Sequence, residues 1–451
     1  MKIIIVGCGK VGYALTEQLS KEGHDITVID RAEVKLSRIS STMDVFCVHG
    51  NGTSHKTQME AGIKEADLLI SVTGSDEVNM LCCLIAKKVG NCKTIARVRK
   101  PEYDDEVSFL KEELGLSMAI NPEMTAAAEI SRLIQYPSAL EVETFAKGRV
   151  SLIKVAVTDG SPLDGLILKD ISSVAGKRTL VCIVKRDNEI IIPDGNFKLM
   201  AGDAVSLILP VEESSSFFKK MKIKSSPIKS VMIAGGGTIS YYLARQLQKT
   251  GVSVKIVEEN YARCEELSEL LPDATIIHGS GIDRDLLVSE GITHTDALVA
   301  LTGIDEENIL LTLYAKRVSG CKTITLIDKI TFEEVLSDLK MDTVISPKAI
   351  TTAYIIRYVR AMQNSYGSKV QTLHRLAEGR VEALEFKVTE NARVVGKTLS
   401  TLQLKKNLLI CCISRYGKII TPSGQDELKP GDGVIVVTTN IGLDDIDDIL
   451  V

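Results

Sequence analysis

The first thirty residues of the chain carry the pattern that most restricts its fold. An apolar run at residues 3–6 leads directly into residues 7–12, which have the form G-x-G-x-x-G. A helical pattern follows, Gly23 ends it, and a second β-branched run finishes on Asp30. The glycine pattern alone would indicate only a strand–helix turn. The full order of strand, glycine turn, helix, strand and acid is typical of a nucleotide-binding βαβ unit.

Each part of this segment has a physical task in nucleotide binding. Gly7 permits a tight turn, Gly9 lets the backbone approach a pyrophosphate, and Gly12 allows close packing of helix on strand. The helix that follows offers unpaired N–H groups and the positive end of its dipole to phosphates. Asp30, at the end of the second strand, is placed to accept hydrogen bonds from ribose hydroxyls, and its charge disfavours the 2′-phosphate of NADP.

The chain contains the same unit twice. A second glycine-rich turn at residues 235–240 again lies between a β run and a helical pattern, and the next strand ends on Glu258, in the place of Asp30. Further pairs recur at one fixed separation, namely His49-Gly50 with His278-Gly279, Thr73-Gly74 with Thr302-Gly303, Asn79 with Asn308, and Gly202-Asp203 with Gly431-Asp432. Agreement at one spacing over most of the chain indicates a tandem duplication.

Each copy divides into two lobes, so the predicted fold class is α/β in tandem duplication. Residues 1–135 alternate apolar runs with helical patterns, which predicts a doubly wound parallel sheet of the Rossmann type. Residues 140–217 hold short strands between turn residues, which predict a small α+β lobe. Residues 228–365 and 370–451 repeat this plan, and the charged segment 217–229, which includes Ser225-Ser226-Pro227, is expected to be the linker.

The strand and helix bounds can be predicted approximately. In the first Rossmann lobe we expect strands that end at residues 6, 29, 48, 72, 98 and 120. In the lobe that follows we expect strands at 150–157, 179–185, 189–192 and 205–208. Asn121 is expected to cap a long helix that begins at Pro122.

Composition excludes several classes of protein. The formal net charge of −5 provides no electrostatic footprint for nucleic acid. The apolar stretches are shorter than the roughly 18–20 residues that cross a bilayer, and the first strand begins too early for a secretory signal. The ten cysteines are scattered without a C-x-x-C motif, as is typical of reduced core residues. We therefore expect a cytosolic protein.

Two residue types near the expected site have a second interpretation. Cys8 in the glycine turn could be a redox-sensitive thiol, although a small residue facing the strand end is favoured. His49 and His278 recur in both copies and could bind a metal or act in acid–base chemistry. Because no second ligand stands at zinc spacing, strand-end histidines are favoured and no metal site is predicted.

The ordered set of motifs, present twice, resembles the TrkA family. Members of this family are cytosolic regulatory subunits of bacterial Trk- and Ktr-type potassium uptake systems and carry two domains that regulate potassium conductance (RCK domains). The resemblance covers essentially the whole chain. It rests on residues 4–12, 48–53, 73–77 with Asn79, 96–99, 121–123, 192–195 and 202–203.

The resemblance implies a regulatory role for the nucleotide, which would be NAD(H), ATP or ADP. It implies a membrane subunit that transports potassium, of the Trk or Ktr type, as the partner, and no nucleic acid. A homodimer would place four lobes in a ring, peripheral on the inner face of the cell membrane. The protein would not be an enzyme.

The resemblance also implies the binding residues, most of which follow parallel strands at their carboxyl ends. In the first lobe these are Gly7, Cys8, Gly9, Lys10, Val11, Gly12, Asp30, Arg31, Asn51, Gly52, Thr53, Thr73, Gly74, Asp76, Glu77 and Arg97. In the second lobe they are Gly235, Gly237, Thr238, Ile239, Glu258, Gly279, Ser280 and Thr302. Arg97 is expected to direct its guanidinium to a phosphate.

The second lobe departs from the pattern and is expected to bind more weakly. Ser240 replaces the third glycine, Leu326 stands in the place of Arg97, and Lys348 replaces Glu123. Glu123 itself has two open interpretations, a ligand for a divalent cation, as in some relatives, or a carboxylate that offsets the dipole at a helix start.

Two other functions remain open at this stage. The chain could be a nucleotide sensor for another partner, which includes a sensor that binds cyclic di-AMP in its smaller lobes. An NAD-dependent oxidoreductase is less favoured. Its second domain would need a proton-transfer group, and the smaller lobes offer little beyond His374.

Overall fold

The computed structural model describes residues 1–451 except 104–105, 137–139, 147, 177, 188, 222–227, 329–338, 340, 342, 365–369 and 378. We refer to residues 1–135 and 228–365 as the first and second α/β lobes. Residues 140–217 and 370–451 are the first and second β-rich lobes. The predicted lobe end at residue 365 and the linker motif Ser225-Ser226-Pro227 lie outside the described residues.

The first α/β lobe is built from strands and helices in alternation. Its strands are β1 (Lys2–Val6), β2 (Asp25–Asp30), β3 (Phe46–His49), β4 (Leu68–Ser71), β5 (Lys93–Arg97) and β6 (Met118–Ile120). Its helices are α1 (Lys10–Lys21), α2 (Glu33–Ser40), α3 (His55–Glu60), α4 (Asp76–Val89), α5 (Val107–Glu113) and α6 (Pro122–Gln135).

The strands of this lobe form one parallel sheet in the order β3-β2-β1-β4-β5-β6. All four residues of β4 are buried, as are residues 3–6 of β1, because helices cover both faces of a parallel sheet. The strand order reverses between β1 and β4, and in such sheets ligands bind at this reversal. The order confirms the predicted doubly wound fold.

The second α/β lobe repeats this architecture. Its strands are β12 (Ser230–Ala234), β13 (Ser253–Glu258), β14 (Thr275–His278), β15 (Ala297–Ala300), β16 (Lys322–Leu326) and β17 (Thr343–Ile345). They form a parallel sheet in the equivalent order β14-β13-β12-β15-β16-β17. The helices described in it are α9 (Thr238–Gln248), α10 (Tyr261–Leu270), α11 (Arg284–Ser289), α12 (Asp305–Val318) and α13 (Pro347–Asn364).

The two β-rich lobes each contain a five-stranded antiparallel sheet. The first has the strands β7 (Glu141–Phe145), β8 (Val150–Ala156), β9 (Leu180–Arg186), β10 (Glu189–Ile191) and β11 (Ala204–Pro210), with the helices α7 (Ile171–Val174) and α8 (Val211–Lys220). The second has β18 (Val370–Leu376), β19 (Val381–Lys387), β20 (Leu408–Arg415), β21 (Lys418–Ile420) and β22 (Gly433–Thr438). The orders β10-β9-β11-β8-β7 and β18-β19-β22-β20-β21 are the same order read from opposite edges.

Like lobes associate with like, so the compact units of the structure differ from the repeats of the sequence. Residues 1–131 and 229–356 form one unit, which we call the α/β unit. Residues 132–228 and 357–451 form the other, which we call the β-rich unit. Each unit therefore contains one lobe from each copy of the duplication.

The two sheets of the β-rich unit share an apolar core. Phe145 and Leu152 of the first lobe pack in one buried cluster with Leu376, Ala383 and Val437 of the second. Polar contacts flank this cluster, since the Ala146 N–H donates to Glu385 Oε2 at 3.1 Å and Arg149 donates to the carbonyl of Gly417 at 3.0 Å. Burial of these apolar faces is the main force that holds the two lobes together.

Two details of the β-rich lobes differ from the sequence-based expectation. The start of the expected linker is helical, because α8 continues to Lys220 and buries Phe217 and Phe218. Lysines that follow these two rings mask the apolar face in the sequence. The strand β7 and its counterpart β18 had no predicted equivalent. Among the described residues, no helix is both long and apolar enough to cross a membrane.

Candidate functional site

A cavity of about 820 Å³ lies at the carboxyl ends of the strands of the first α/β lobe. The predicted residues that line it are Gly7, Gly9, Lys10, Val11, Asp30, Arg31, Asn51, Gly52, Thr73, Gly74 and Arg97. They come from the ends of five strands, β1 to β5, and meet at the reversal of strand order. The lining fits the position at which doubly wound sheets bind their ligands.

The three glycines of the first turn are needed for three different reasons. Gly7 has φ of 100°, a conformation that other residues rarely adopt. A Cβ on Gly12 would lie 1.9 Å from the carbonyl oxygen of Gly7, so α1 packs against the turn only because this residue lacks a side chain. A Cβ on Gly9 would have no atom within 4 Å. Gly9 thus keeps the cavity open to a close ligand.

The carboxylate of Asp30 holds the glycine turn in place. Its Oδ2 accepts a hydrogen bond from the Cys8 N–H at 2.6 Å, and its Oδ1 accepts one from the Ala32 N–H at 2.8 Å. Each carboxylate oxygen has a second lone pair, which leaves acceptor capacity at the cavity wall. Sequence reasoning assigned only the ligand role to Asp30, and the structure adds this structural one.

Asn79 connects the two strand ends that carry Thr73 and Arg97. Its Oδ1 accepts hydrogen bonds from the N–H and the hydroxyl of Thr73, both at 2.7 Å, and its amide nitrogen donates to the carbonyl of Arg97 at 2.9 Å. In the second lobe, Asn308 makes the same bonds to Thr302 and to Leu326. This explains why the asparagine recurs in both copies, because it sets the distance between two cavity-lining segments.

Two groups at the cavity have buried polar atoms that form no hydrogen bond with any described residue. They are Nε of Arg97 and Oε2 of Glu123. Burial lowers the pKa of Arg97, with a further contribution from Arg99, and burial raises the pKa of Glu123 against the opposing effect of the two arginines. Unmade hydrogen bonds at buried charged groups are costly, so both atoms fit a ligand that would satisfy them.

Asp76 and Glu77 were predicted to bind the cofactor, but neither lines the cavity. The carboxylate of Asp76 is almost fully buried, accepts hydrogen bonds from the N–H groups of Arg99 and Lys100 at 2.8 and 2.9 Å, and lies 3.5 Å from Arg99 Nε. It anchors the loop after β5. Glu77 is exposed, and its hydrogen bond to Lys100 lowers its pKa to about 2.

The second α/β lobe completes the wall of the first-lobe cavity. Its contributions are Ile239, Leu326, Asp328, Pro347, Lys348 and Thr351. Asp328 forms an ion pair with Lys10 at the first turn of α1. Only Ile239 among the second-lobe residues predicted to bind nucleotide lines this cavity. Sequence reasoning could not find the others, because nothing local to residues 326–351 shows which lobe they face.

The glycine turn of the second lobe is more closely packed than that of the first. Glu258 accepts hydrogen bonds from the N–H groups of Gly236 and Asn260 at 2.5 and 2.7 Å, as Asp30 does in the first lobe. Arg263 donates to the carbonyl of Gly236 at 2.8 Å. Arg263 is the third residue of α10, and the third residue of the equivalent helix α2 is Lys35. Lys35 instead lines the first-lobe cavity.

Ser240 is accommodated by a hydrogen bond from its hydroxyl to the carbonyl of Gly235 at 2.5 Å.

The predicted residues Gly235, Gly237, Thr238 and Glu258 remain together around this turn, and Gly279, Ser280 and Thr302 follow the neighbouring strands. Their role in binding stays a prediction, as does that of Cys8, Gly12 and Thr53 in the first lobe.

The alternative roles of Cys8 and the histidines find little support. Burial raises the pKa of Cys8 to about 11, so the reactive thiolate is scarce at neutral pH. His49 Nε2 lies 3.0 Å from the carbonyl oxygen of Arg31, and His278 Nε2 lies 3.1 Å from that of Glu259. Both histidines therefore support the segment after the acidic residue, which fits the favoured interpretation as strand-end residues.

Comparison with known proteins follows the same division into lobes. The TrkA-N domain model matches residues 3–122 and 231–347, and the TrkA-C domain model matches residues 152–222 and 383–451. The chain belongs to the TrkA family. The Archaeoglobus fulgidus "Trk system potassium uptake protein TrkA homolog" is 33% identical to this TrkA-family chain over 97% of each. "Trk system potassium uptake protein TrkA" of Haemophilus influenzae is 31% identical over 97% of this chain and 95% of its own.

Solved structures place the TrkA-family chain in the RCK fold. "Crystal Structure of the GsuK RCK domain" matches 97% of this chain and 92% of its own with a TM-score of 0.64 at 17% identity. "GsuK channel bound to NAD" matches 97% of this chain and 76% of its own with a TM-score of 0.64 at 15% identity. At these identities the likeness establishes the fold and no ligand.

Proposed function

We propose that this TrkA-family chain is a nucleotide-sensing regulatory subunit that controls a membrane protein which transports potassium. NAD(H), ATP or ADP would bind in the first-lobe cavity as an effector, without chemical conversion. The name shared by its relatives supports a place in a potassium uptake system. The protein would act from the cytosol on the inner face of the membrane, as a homodimer with four α/β lobes in a ring.

One observation carries this proposal. The glycine turn, the N-terminus of α1 and Arg97 all line one cavity. The Arg97 guanidinium donates to the carbonyl of Thr73 through Nη2, and its Nε has no partner among the described residues. Backbone N–H groups at a helix start and a guanidinium are the groups that bind phosphate oxygens in proteins. Lys10, Val11 and Arg97 would hold phosphates, while Asp30 and Asn51 would contact the nucleoside.

Control of the partner would follow from the position of the cavity between two lobes. A ligand changes the arrangement of lobes only to the extent that it binds one arrangement more tightly than another. The walls of this cavity belong to both α/β lobes of one unit, so a bound nucleotide would contact both. The nucleotide would thereby favour one arrangement, which the membrane partner would detect.

The first test is calorimetric titration of the purified protein with NADH, NADPH, ATP and ADP, repeated on Asp30→Asn. The wild-type protein is expected to bind NADH and to bind NADPH poorly, because the Asp30 carboxylate repels a 2′-phosphate. The asparagine lacks the charge and has one acceptor oxygen, so it can keep the hydrogen bond from the Cys8 N–H while it loses the one from the Ala32 N–H. We expect it to keep its fold and to reduce the preference for NADH over NADPH.

The matched control is Glu258→Gln in the second lobe, which removes the equivalent charge at a position where neither Glu258 nor its partner Gly236 lines this cavity. It is expected to change nucleotide affinity less than Asp30→Asn does. Absence of binding by all four nucleotides would contradict the proposed function. Equal effects of the two substitutions would contradict the assignment of the stronger site to the first lobe.

A further inference from the structure

Two helices from different lobes begin at the same cavity. In α6, Asn121 caps the helix by accepting from the Met124 N–H at 2.9 Å, and Glu123 is the second residue. In α13, the hydroxyl of Ser346 accepts a hydrogen bond from the Ala349 N–H at 3.3 Å, and Lys348 is the second residue of the helix. Both second residues line the first-lobe cavity, so the duplication has placed an acid and a base at equivalent helix starts around one space.

The charge of Lys348 is available to a ligand. The second lobe brings one other charged side chain to the cavity lining, Asp328, and that carboxylate already pairs with Lys10. Lys348 is partly buried and forms no ion pair or hydrogen bond through its side chain with any residue in the described part of the chain. Its ammonium group adds to the positive dipole end of α13, an 18-residue helix.

Lys348 and the N-terminus of α13 can distinguish among the nucleotides of the proposed function, and this inference rests on that function. We infer that Lys348 is a specificity-determining residue that binds the terminal phosphate of a nucleoside di- or triphosphate held by the first lobe. An ammonium group and a helix N-terminus both favour a terminal phosphate, which carries the highest charge density of the ligand. NADH ends in a nicotinamide riboside and presents no terminal phosphate there. The second lobe thus favours ATP and ADP over NADH.

The test is isothermal titration calorimetry of the full-length protein with ATP, ADP, AMP and NADH on the wild type, Lys348→Met and Lys348→Ala. Methionine retains most of the aliphatic stem and removes the charge. We expect both variants to bind ATP and ADP about tenfold more weakly or worse, as loss of a hydrogen bond to a charged group implies. Binding of AMP and NADH is expected to change by less than about twofold.

The matched control is Lys88→Ala. Lys88 is an exposed lysine in the last turn of α4, whereas the cavity lies at the other end of that helix. The Lys88→Ala substitution removes the same charge from the α/β unit and is expected to leave the affinities for ATP, ADP, AMP and NADH unchanged. Lys348→Glu, which repeats in the second lobe the acid found at Glu123, is expected to weaken ATP binding more than Lys348→Met does, because it reverses the charge.

The outcomes separate this inference from the proposed function. If the wild type binds nucleotides and the Lys348 variants lower the affinities for ATP and NADH equally, or lower neither, the role of Lys348 is overturned while the site stands. If the wild type binds none of the four ligands, the proposed function is overturned and the inference with it. Thermal melts without ligand should match the wild type, since the Lys348 side chain has no partner among the described residues to lose.

Discussion

Gly12→Ala is expected to unfold the first α/β lobe at a lower temperature and to abolish nucleotide binding there. The new Cβ would lie 1.9 Å from the carbonyl oxygen of Gly7, and both groups belong to the backbone or are fixed to it. Either α1 must move away from the turn or the turn must open. Overpacking of this kind costs about 2–3 kcal/mol, or roughly 5–10 °C in Tm. Differential scanning calorimetry with and without ligand measures both effects.

Gly9→Ala is the matched control for this prediction. Its Cβ would meet no atom within 4 Å, and Gly9 has φ of −78°, which alanine adopts without strain. We expect an unchanged Tm together with weaker binding, since the methyl group would occupy space that a pyrophosphate needs. Gly12→Ser is expected to lose less stability than Gly12→Ala. Its hydroxyl can bond to the displaced carbonyl, as Ser240 does to Gly235. Equal melting temperatures for Gly9→Ala and Gly12→Ala would contradict the steric argument.

Asp76→Ala is expected to lower the free energy of unfolding by about 3 kcal/mol, because it removes a buried carboxylate that accepts two backbone hydrogen bonds, each worth about 1.5–3 kcal/mol when the acceptor is charged. The substitution would leave the N–H groups of Arg99 and Lys100 without their acceptor and the Arg99 guanidinium without its carboxylate. The loop after β5 would loosen, and Arg97 precedes this loop. We therefore expect weaker nucleotide binding as a secondary result. Urea denaturation followed by circular dichroism measures the stability.

The neighbouring acid provides the control. Glu77→Ala removes an exposed carboxylate from the same helix turn and breaks an ion pair with Lys100 at 2.5 Å. Because exposed pairs contribute little to stability, we expect a urea midpoint close to that of the wild type. Asp76→Asn should fall between the two, since its amide oxygen can still accept the two N–H bonds. A larger loss for Glu77→Ala than for Asp76→Ala would refute the structural role of Asp76.

Much of the lining of the first-lobe cavity was predictable because its determinants are local. Glycine at 7, 9 and 12 and the acid at 30 stand in one βαβ unit, where turn chemistry and β-branched runs specify the geometry within thirty residues. The parallel sheet places the later strand ends beside this unit, so Asn51, Thr73 and Arg97 could also be anticipated. All of these except Gly12 line the observed cavity.

The residues that sequence reasoning interpreted differently are those whose environment depends on packing. Asp76 is an acidic residue in a motif that suggests ligand binding, but its carboxylate lies in the interior and anchors a loop 23 residues further along the chain. Asp30 shares its carboxylate with two backbone N–H groups, which no motif indicates. Phe217 and Phe218 lie in a helix because their rings are buried, although the surrounding charges suggest a linker.

The sequence by itself determined that this TrkA-family chain has two Rossmann lobes and two smaller lobes, since periodicity, turn residues and a repeat at one spacing are local properties. Only the tertiary structure decided that like lobes pair across the duplication, and that Lys348 and Asp328 of one lobe face the cavity of the other. The association of lobes depends on the complementarity of surfaces built from residues that are far apart in the chain, such as Asn121 with Tyr242 and Lys10 with Asp328. No local pattern encodes that fit.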